Sequence, residues 1–378
     1  MSLPPLPSTF DSAREFPILS RWHFFNHGGV APISARAAEA LNLYTKQACE
    51  DAYLSGKWYQ QAETTRQLSA RLINATPSEI AFIKNTSEGL AFVANGLEWK
   101  SGDEILSTAV EYPANVYPWM DLQQRAGVKH VMVPEVNGRI DPETLLAAVT
   151  PRTRMIALSH VEYASGFRND LARIGAFCRS KGILFCVDAI QSMGLLPVDV
   201  KAMNIDFLSA DGHKWLLSPE GCGVFFCRKE LFSQVRPEVG WWNVINSTDY
   251  GAYDFTLRDD ARRFECGTYN IPGVLAMGAS LELLLELGID LISRRVFALT
   301  EQLCEGLGVK GYSVISSQAE SERSGIVAFM HPSGGHAEIV RKLQEKRIVI
   351  VIREGRLRAS PHFYNTPEQI QALIDALP

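Results

Sequence analysis

Two short apolar runs each lead into a chemically useful residue. Ile183 to Val187 is rich in strand formers and ends at the carboxylate Asp188, and Ile205 to Leu208 leads through Ser209, Asp211, Gly212 and His213 to Lys214. If the two runs are neighbouring strands of an open α/β sheet, acid and amine leave it at the C-terminal edge, where such sheets bind ligands. An amine there can form a Schiff base with an aldehyde. A carboxylate there can keep a pyridine nitrogen protonated, and these are the two protein groups that pyridoxal phosphate requires.

The elements that must position this pair alternate along the chain. TPSE, from Thr76 to Glu79, is a capping box with proline at the first helical position. In NTSEGLAFVANGL a helix begins that Thr86 or Ser87 can cap, and its free N–H groups and hydroxyls suit a phosphate dianion. GDEILSTAVEYPANVYPW reads as a strand ending near Glu111 and Tyr112 and then a helix, KHVMVP as a strand, DPETLLAAV as a helix capped by Asp141. RMIALSHVEYASG is a strand that finishes at Ser159 and His160, and NDLARIGAFCRSKGI an amphipathic helix with a glycine stop. Crossovers of this length predict a mostly parallel sheet with helices on both faces.

Upstream, residues 1–20 hold four prolines and read as an extended arm lying on another part of the molecule. RWHFFNHGGVAPIS then runs from aromatic residues into Asn26, His27, Gly28 and Gly29, and Ser34 caps a helix reaching about residue 50. Beyond GVFFCRKEL the alternation loosens. One long apolar helical region is expected from about Val274 to Leu307, followed by the strands SGIVAFMHP and RIVIVIREGRLRASPHF. The resulting division is an arm over 1–20, a large domain over 21–262 and a smaller α+β domain over 263–378.

Composition narrows the function classes. Across 378 residues, 46% are hydrophobic, and 37 basic residues against 42 acidic ones give a net charge of −5 with no basic stripe. Nucleic acid and membrane surfaces are therefore not expected partners, and a small molecule is. The N-terminus has neither a basic region nor an apolar core of a signal peptide, which reads as cytoplasmic. Seven cysteines without a Cys-x-x-Cys pair give no disulfide framework or zinc cage, and the eight histidines show no metal-ligand spacing. No metal is expected.

VDAIQSMG, DGHKW, RFECGT and RASPHFYNT follow one another in that order. With them the chain, from about residue 22 to its end, resembles fold-type I pyridoxal-phosphate enzymes of the class V aminotransferase family, in the branch of cysteine desulfurases, selenocysteine lyases and isopenicillin N epimerase. The resemblance implies an α/β large domain with a mostly parallel seven-stranded sheet. It implies pyridoxal 5'-phosphate as cofactor, with Lys214 as Schiff-base lysine and proton carrier and Asp188 at the pyridine nitrogen. Gln191 would donate to the phenolic oxygen, Tyr112 would stack on the ring, and His213, Thr86 and Ser87 would hold the phosphate. Thr268 would reach the phosphate of a second subunit, so a homodimer would share its active sites. Arg358 would bind the carboxylate of an amino-acid substrate, with Asn26, Gly28 and His160 nearby.

Departures also matter. Asp211 stands where desulfurases usually have a small hydroxyl residue, so it is expected to point away from the phosphate. Desulfurases tend to have asparagine where His160 stands, Arg353 reads as a surface charge, and Cys266 as packing. In group II desulfurases an insertion between the positions of Arg353 and Arg358 carries the sulfur-attacking cysteine, but here only Glu354, Gly355, Arg356 and Leu357 lie between them. None of these replaces a thiolate. The first reading is thus an enzyme acting at an amino-acid α-carbon, an aminotransferase, with an epimerase or a C–S lyase lacking the usual cysteine as the alternative. A non-catalytic scaffold is disfavoured because Lys214, Asp188, Gln191 and Arg358 are all present. A nicotinamide oxidoreductase lacks its GxGxxG.

Overall fold

The computed structural model of the protein describes residues 3–378. Its centre is a seven-stranded sheet of β1 (Ile80–Ile83), β2 (Glu104–Thr108), β3 (Lys129–Val133), β4 (Thr153–Ser159), β5 (Leu184–Asp188), β6 (Phe207–Asp211) and β7 (Gly223–Cys227). The order across the sheet is β1-β7-β6-β5-β4-β2-β3. β3, β2, β4, β5 and β6 run parallel, whereas β7 is antiparallel to both β6 and β1.

Strand side chains alternate between two packed layers. Ile156, Leu158, Phe185, Val187 and Leu208 enter the core on one face, while Met155, Ala157, Cys186 and Phe207 enter the core on the other. Helices cover both faces, which is why these strands read as continuous apolar runs instead of alternating ones. Two of the helices are α1 (Thr86–Gly96) and α2 (Leu171–Lys181), the latter stopped by Gly182 in a left-handed conformation.

The expected long helical region is two helices, α3 (Ile271–Leu287) and α4 (Ile289–Val309), broken at Gly288, whose φ is +80°. Glycine meets that angle without a Cβ clash, and the chain changes direction there. A second sheet contains β8 (Ser313–Val314), β9 (Val327–Met330), β10 (Val351–Arg353) and β11 (Arg356–Ala359) in the order β10-β11-β9-β8. Residues 3–20 are not wholly extended: Ser12–Glu15 is one helical turn capped by Asp11, and Pro17–Ser20 a 3-10 turn. This segment lies on the chain's C-terminal part through Phe16, stacked at 3.7 Å on Tyr364.

The outer strand β1 pairs with β7 on one side only. On its other side two buried side chains take the place of a strand. Glu265 accepts from Phe82 N at 2.9 Å, and Arg66 Nη1 donates to Ile80 O at 2.7 Å. Arg66 and Glu265 also form an ion pair of 2.6 Å, with side chains 2% and 1% exposed.

Candidate functional site

β5 and β6 are parallel neighbours, and Asp188 lies opposite Ser209 in their register. Asp188 is the last residue of β5, its Oδ1 accepting from Ile190 N at 3.0 Å. β6 ends at Asp211, and the following turn carries His213 and Lys214. A cavity of about 620 Å³ opens over these strand ends, lined by Asp188, Gln191, Asp211, His213 and Lys214 from this edge. Asn26, Gly28, Thr86, Ser87, Tyr112 and Arg358 complete it from other elements.

The N-terminus of α1 faces this cavity. Its cap is Asn85, whose side chain accepts from Glu88 N at 3.0 Å, and not Thr86 or Ser87. Asn, Thr and Ser are all good caps, so three in succession leave the choice to the backbone. Thr86 is thereby freed: its hydroxyl oxygen accepts from Asp211 N at 2.9 Å while its own hydrogen stays available. Gly89 allows the helix to sit this close, since a Cβ there would lie 2.3 Å from Ser209 Oγ.

Asp211 does line the cavity, against the expectation that it points away. Its charge is turned inward, however. Oδ1 accepts from Gly212 N at 2.7 Å, and Oδ2 lies 2.9 Å from His213 Nδ1. That second approach is close enough for attraction but is out of line for a hydrogen bond, so His213 Nδ1 remains without a hydrogen-bond partner.

Gln191 is fixed in one orientation. The indole of Trp215, which can only donate, gives its hydrogen to Gln191 Oε1 at 3.0 Å, so Gln191 Nε2 faces Gly28 O, also at 3.0 Å. The second hydrogen of that amide is unused. A Cβ on Gly28 would come within 3.3 Å of Gln191 Oε1 and 3.4 Å of the Arg358 guanidinium, so glycine keeps room between them.

Arg358 comes from β11 and is almost wholly buried. Nη1 donates to Tyr163 O at 2.7 Å and Nη2 to Asn26 Oδ1 at 3.2 Å, while Nε has no partner. Burial and the neighbouring Arg353 bring its pKa down to about 9. A buried guanidinium without a carboxylate is a site prepared for an anion.

Burial also sets the two central groups. It brings the Lys214 amine down to about 8 against the pull of Asp188, and pushes the Asp188 carboxyl up to about 6 against Ile190 N–H and the Lys214 charge. Lys214 Nζ lies 5.5 Å from the centre of the Tyr112 ring. Tyr112 follows Glu111, whose carboxylate accepts from Ser159 N at 2.8 Å and Ser159 Oγ at 2.6 Å. This anchors the turn after β2 to the end of β4.

Two predicted site residues are not on the wall of this cavity, as expected for Thr268, whose predicted place is the site of a second subunit. His160 does not line the cavity: it follows the last residue of β4, its backbone N–H donates to Asp188 O, and burial brings the imidazole down to about 3. Thr268 lines a different cavity, with Lys84, Cys266 and Asn270. In turn, Asn85, Tyr163, Glu220, Arg353 and Glu354 line the main cavity without having been predicted there. Arg353 and Glu354 were legible in one respect, since Glu-Gly between two short apolar strands marks a two-residue hairpin that must place them beside Arg358.

The cavity suits pyridoxal phosphate on its own chemistry: an amine of lowered pKa, a buried acid, an exposed ring face, and a helix N-terminus with free hydroxyls. Among the described residues no group of three or more His, Cys, Asp or Glu is arranged to hold a metal ion, and no helix is long and apolar enough to cross a membrane.

Comparison with known proteins agrees. Residues 32–373 match the family model described as Aminotransferase class-V. The chain is 30% identical to a probable cysteine desulfurase of Methanothermobacter thermautotrophicus over 98% of this chain and 97% of that one. It is 30% identical to a cysteine desulfurase of Escherichia coli over 89% and 86% of the two chains. In structure it is similar to the apo cysteine desulfurase of Thermococcus onnurineus, with a TM-score of 0.90 and 26% identity over 99% of this chain and 98% of that one. The cystine C–S lyase C-DES, in complex with its product cysteine persulfide, aligns with a TM-score of 0.87 and 28% identity over 95% and 98%. The chain belongs to the class V aminotransferase family of pyridoxal-phosphate enzymes.

Proposed function

We propose that this protein is a C–S lyase that acts on cysteine-derived amino acids by β-elimination, without a thiol of its own, in preference to the aminotransferase that the sequence first suggested. The observation that carries this reading is the make-up of the cavity wall. It brings together Lys214, Asp188 and Arg358, and none of its described residues is a cysteine. The hairpin between Arg353 and Arg358 is a two-residue turn at Glu354 and Gly355, with no room for a cysteine-bearing loop. The similarity to a cystine C–S lyase and to cysteine desulfurases supports cleavage at sulfur.

In this reading Arg358 binds the substrate α-carboxylate through its remaining Nη hydrogens, with Tyr163 O and Asn26 Oδ1 holding the fork in place. Thr86, Ser87 and His213 hold the cofactor phosphate, Gln191 Nε2 donates to its phenolic oxygen, and Tyr112 covers its ring. Asp188 keeps the pyridine nitrogen protonated. When bound, the cofactor supplies an electron-withdrawing ring that stabilises negative charge on the substrate α-carbon. Lys214 Nζ takes the α-proton, a task that its lowered pKa favours near neutrality. Sulfur leaves the β-carbon with the bonding electron pair, and Lys214 returns a proton to it. With cystine and one water the products balance as pyruvate, ammonia and cysteine persulfide.

A homodimer belongs to the same proposal: Thr268, on a wall apart from Lys214, would complete the phosphate site of a second copy. The direct test is to incubate holoenzyme with cystine, cysteine and S-methylcysteine without any keto acid. Pyruvate is expected, and its rate should survive replacement of all seven cysteines by alanine. Absence of pyruvate from all three, with amino transfer to an added keto acid, would return the protein to the aminotransferase reading.

A further inference from the structure

The mouth of the cavity carries a carboxylate that none of the roles above uses. Glu354 lines the same cavity as Lys214 and Arg358. It occupies the first position of the two-residue turn joining β10 to β11, flanked by the pair Arg353 and Arg356. Both turn residues have left-handed backbone, Glu354 at φ +47° and Gly355 at +71°. Asparagine, aspartate or glycine meets such a turn with least strain, so the backbone does not ask for glutamate here.

The side chain is nonetheless held. Tyr163 donates its hydroxyl hydrogen to Glu354 Oε1 at 2.7 Å. Tyr163 is fixed in turn by its carbonyl, which accepts from Arg358 Nη1 at 2.7 Å, and by its ring, which meets Tyr112 edge-on at 5.2 Å between centroids. The carboxylate is thereby tied to the groups assigned to the substrate's near end. It forms no ion pair among the described residues. An anion fixed at the mouth, beyond an arginine that takes the near carboxylate, is complementary to a cation at the far end of a substrate.

We propose that Glu354, oriented by Tyr163, recognises the far ammonium of a substrate made of two amino acids joined through sulfur. This rests on the C–S lyase reading for the choice of substrate, but its test does not depend on turnover. Diaminosuberate (2,7-diaminooctanedioate) replaces the two sulfurs of cystine by methylenes and cannot undergo C–S cleavage, while 2-aminosuberate lacks only the far ammonium. Isothermal titration of the holoenzyme should give about three- to fivefold tighter binding of the diamino compound, the scale of one partly exposed charge pair. Glu354→Gln keeps an acceptor for Tyr163 and removes the charge, so it should erase that preference and leave the affinity for 2-aminosuberate nearly as it was.

Equal weakening of both ligands in Glu354→Gln would mean that Glu354 acts only through the turn, and would overturn the proposal. So would a preference that persists in the variant or is absent from the wild type. If the preference holds and vanishes in the variant while cystine yields no pyruvate, recognition of the far ammonium stands and the lyase reading falls.

Discussion

Arg358→Lys separates a positioned fork from a mere positive charge. The arginine satisfies two internal acceptors, Tyr163 O at 2.7 Å and Asn26 Oδ1 at 3.2 Å, and still has hydrogens for a carboxylate. A lysine ammonium has three hydrogens on a point and cannot serve both acceptors and grip two carboxylate oxygens. At least one charge-assisted hydrogen bond is lost, a cost of about 1.5–3 kcal/mol. That corresponds to a fall in kcat/KM of roughly 10- to 150-fold. Burial already brings the guanidinium at this position down to about 9, so a lysine there would part with its proton more readily still, and the defect should deepen as pH rises from 6 to 9. Pyruvate release from cystine, followed by a coupled dehydrogenase, measures it, with the absorbance of the bound cofactor as the control for an intact site. A variant within threefold of wild type across that range would show that Arg358 does not bind the substrate carboxylate.

Two further outcomes concern stability. Asp188 is raised from 3.8 to about 6 by burial, so the folded apoprotein binds more protons than the unfolded chain in that window, and stability is lost as pH rises through it. Asp188→Asn should therefore raise the Tm of the apoprotein relative to wild type at pH 8, by an effect of about 3 kcal/mol, and the gain should disappear near pH 4; a gain independent of pH would contradict it. Glu265→Gln takes from Arg66 its buried counter-charge and leaves only the half-exposed Glu63 at 3.1 Å, so stability should fall, and a denaturant midpoint unchanged from wild type would refute the assigned role of the pair.

The sheet was legible because its strands are buried on both faces. Strands such as Leu184–Asp188 and Phe207–Asp211 begin with apolar residues and end in a carboxylate, so the acid and the lysine could be placed at one sheet edge from sequence. The cap of α1 was not, because three adjacent residues can all cap and only the backbone angle at Asn85, φ −167°, selects one. Nor was the break at Gly288, where a single glycine in an apolar stretch looks like a tolerated helix interior. Tyr163 was beyond reach for a different reason. It meets Arg358 across 195 positions of chain and Glu354 across 191, and no local pattern encodes such a meeting. The direction of His160 was not legible, because the position after a strand end can face the cavity or the interior, and the turn that decides it is stabilised by partners as distant as Glu322, whose carbonyl accepts from Arg168.

The paired Arg66 and Glu265 give the outer strand a consequence for assembly. Unsatisfied strand borders are where copies of a protein stick to one another, and here Ile80 O and Phe82 N are occupied by side chains from outside the sheet. A second copy that docks near this border must do so through side-chain surfaces, not by extending the sheet. Any change that withdraws the glutamate would leave Phe82 N without that partner and bare this part of the border.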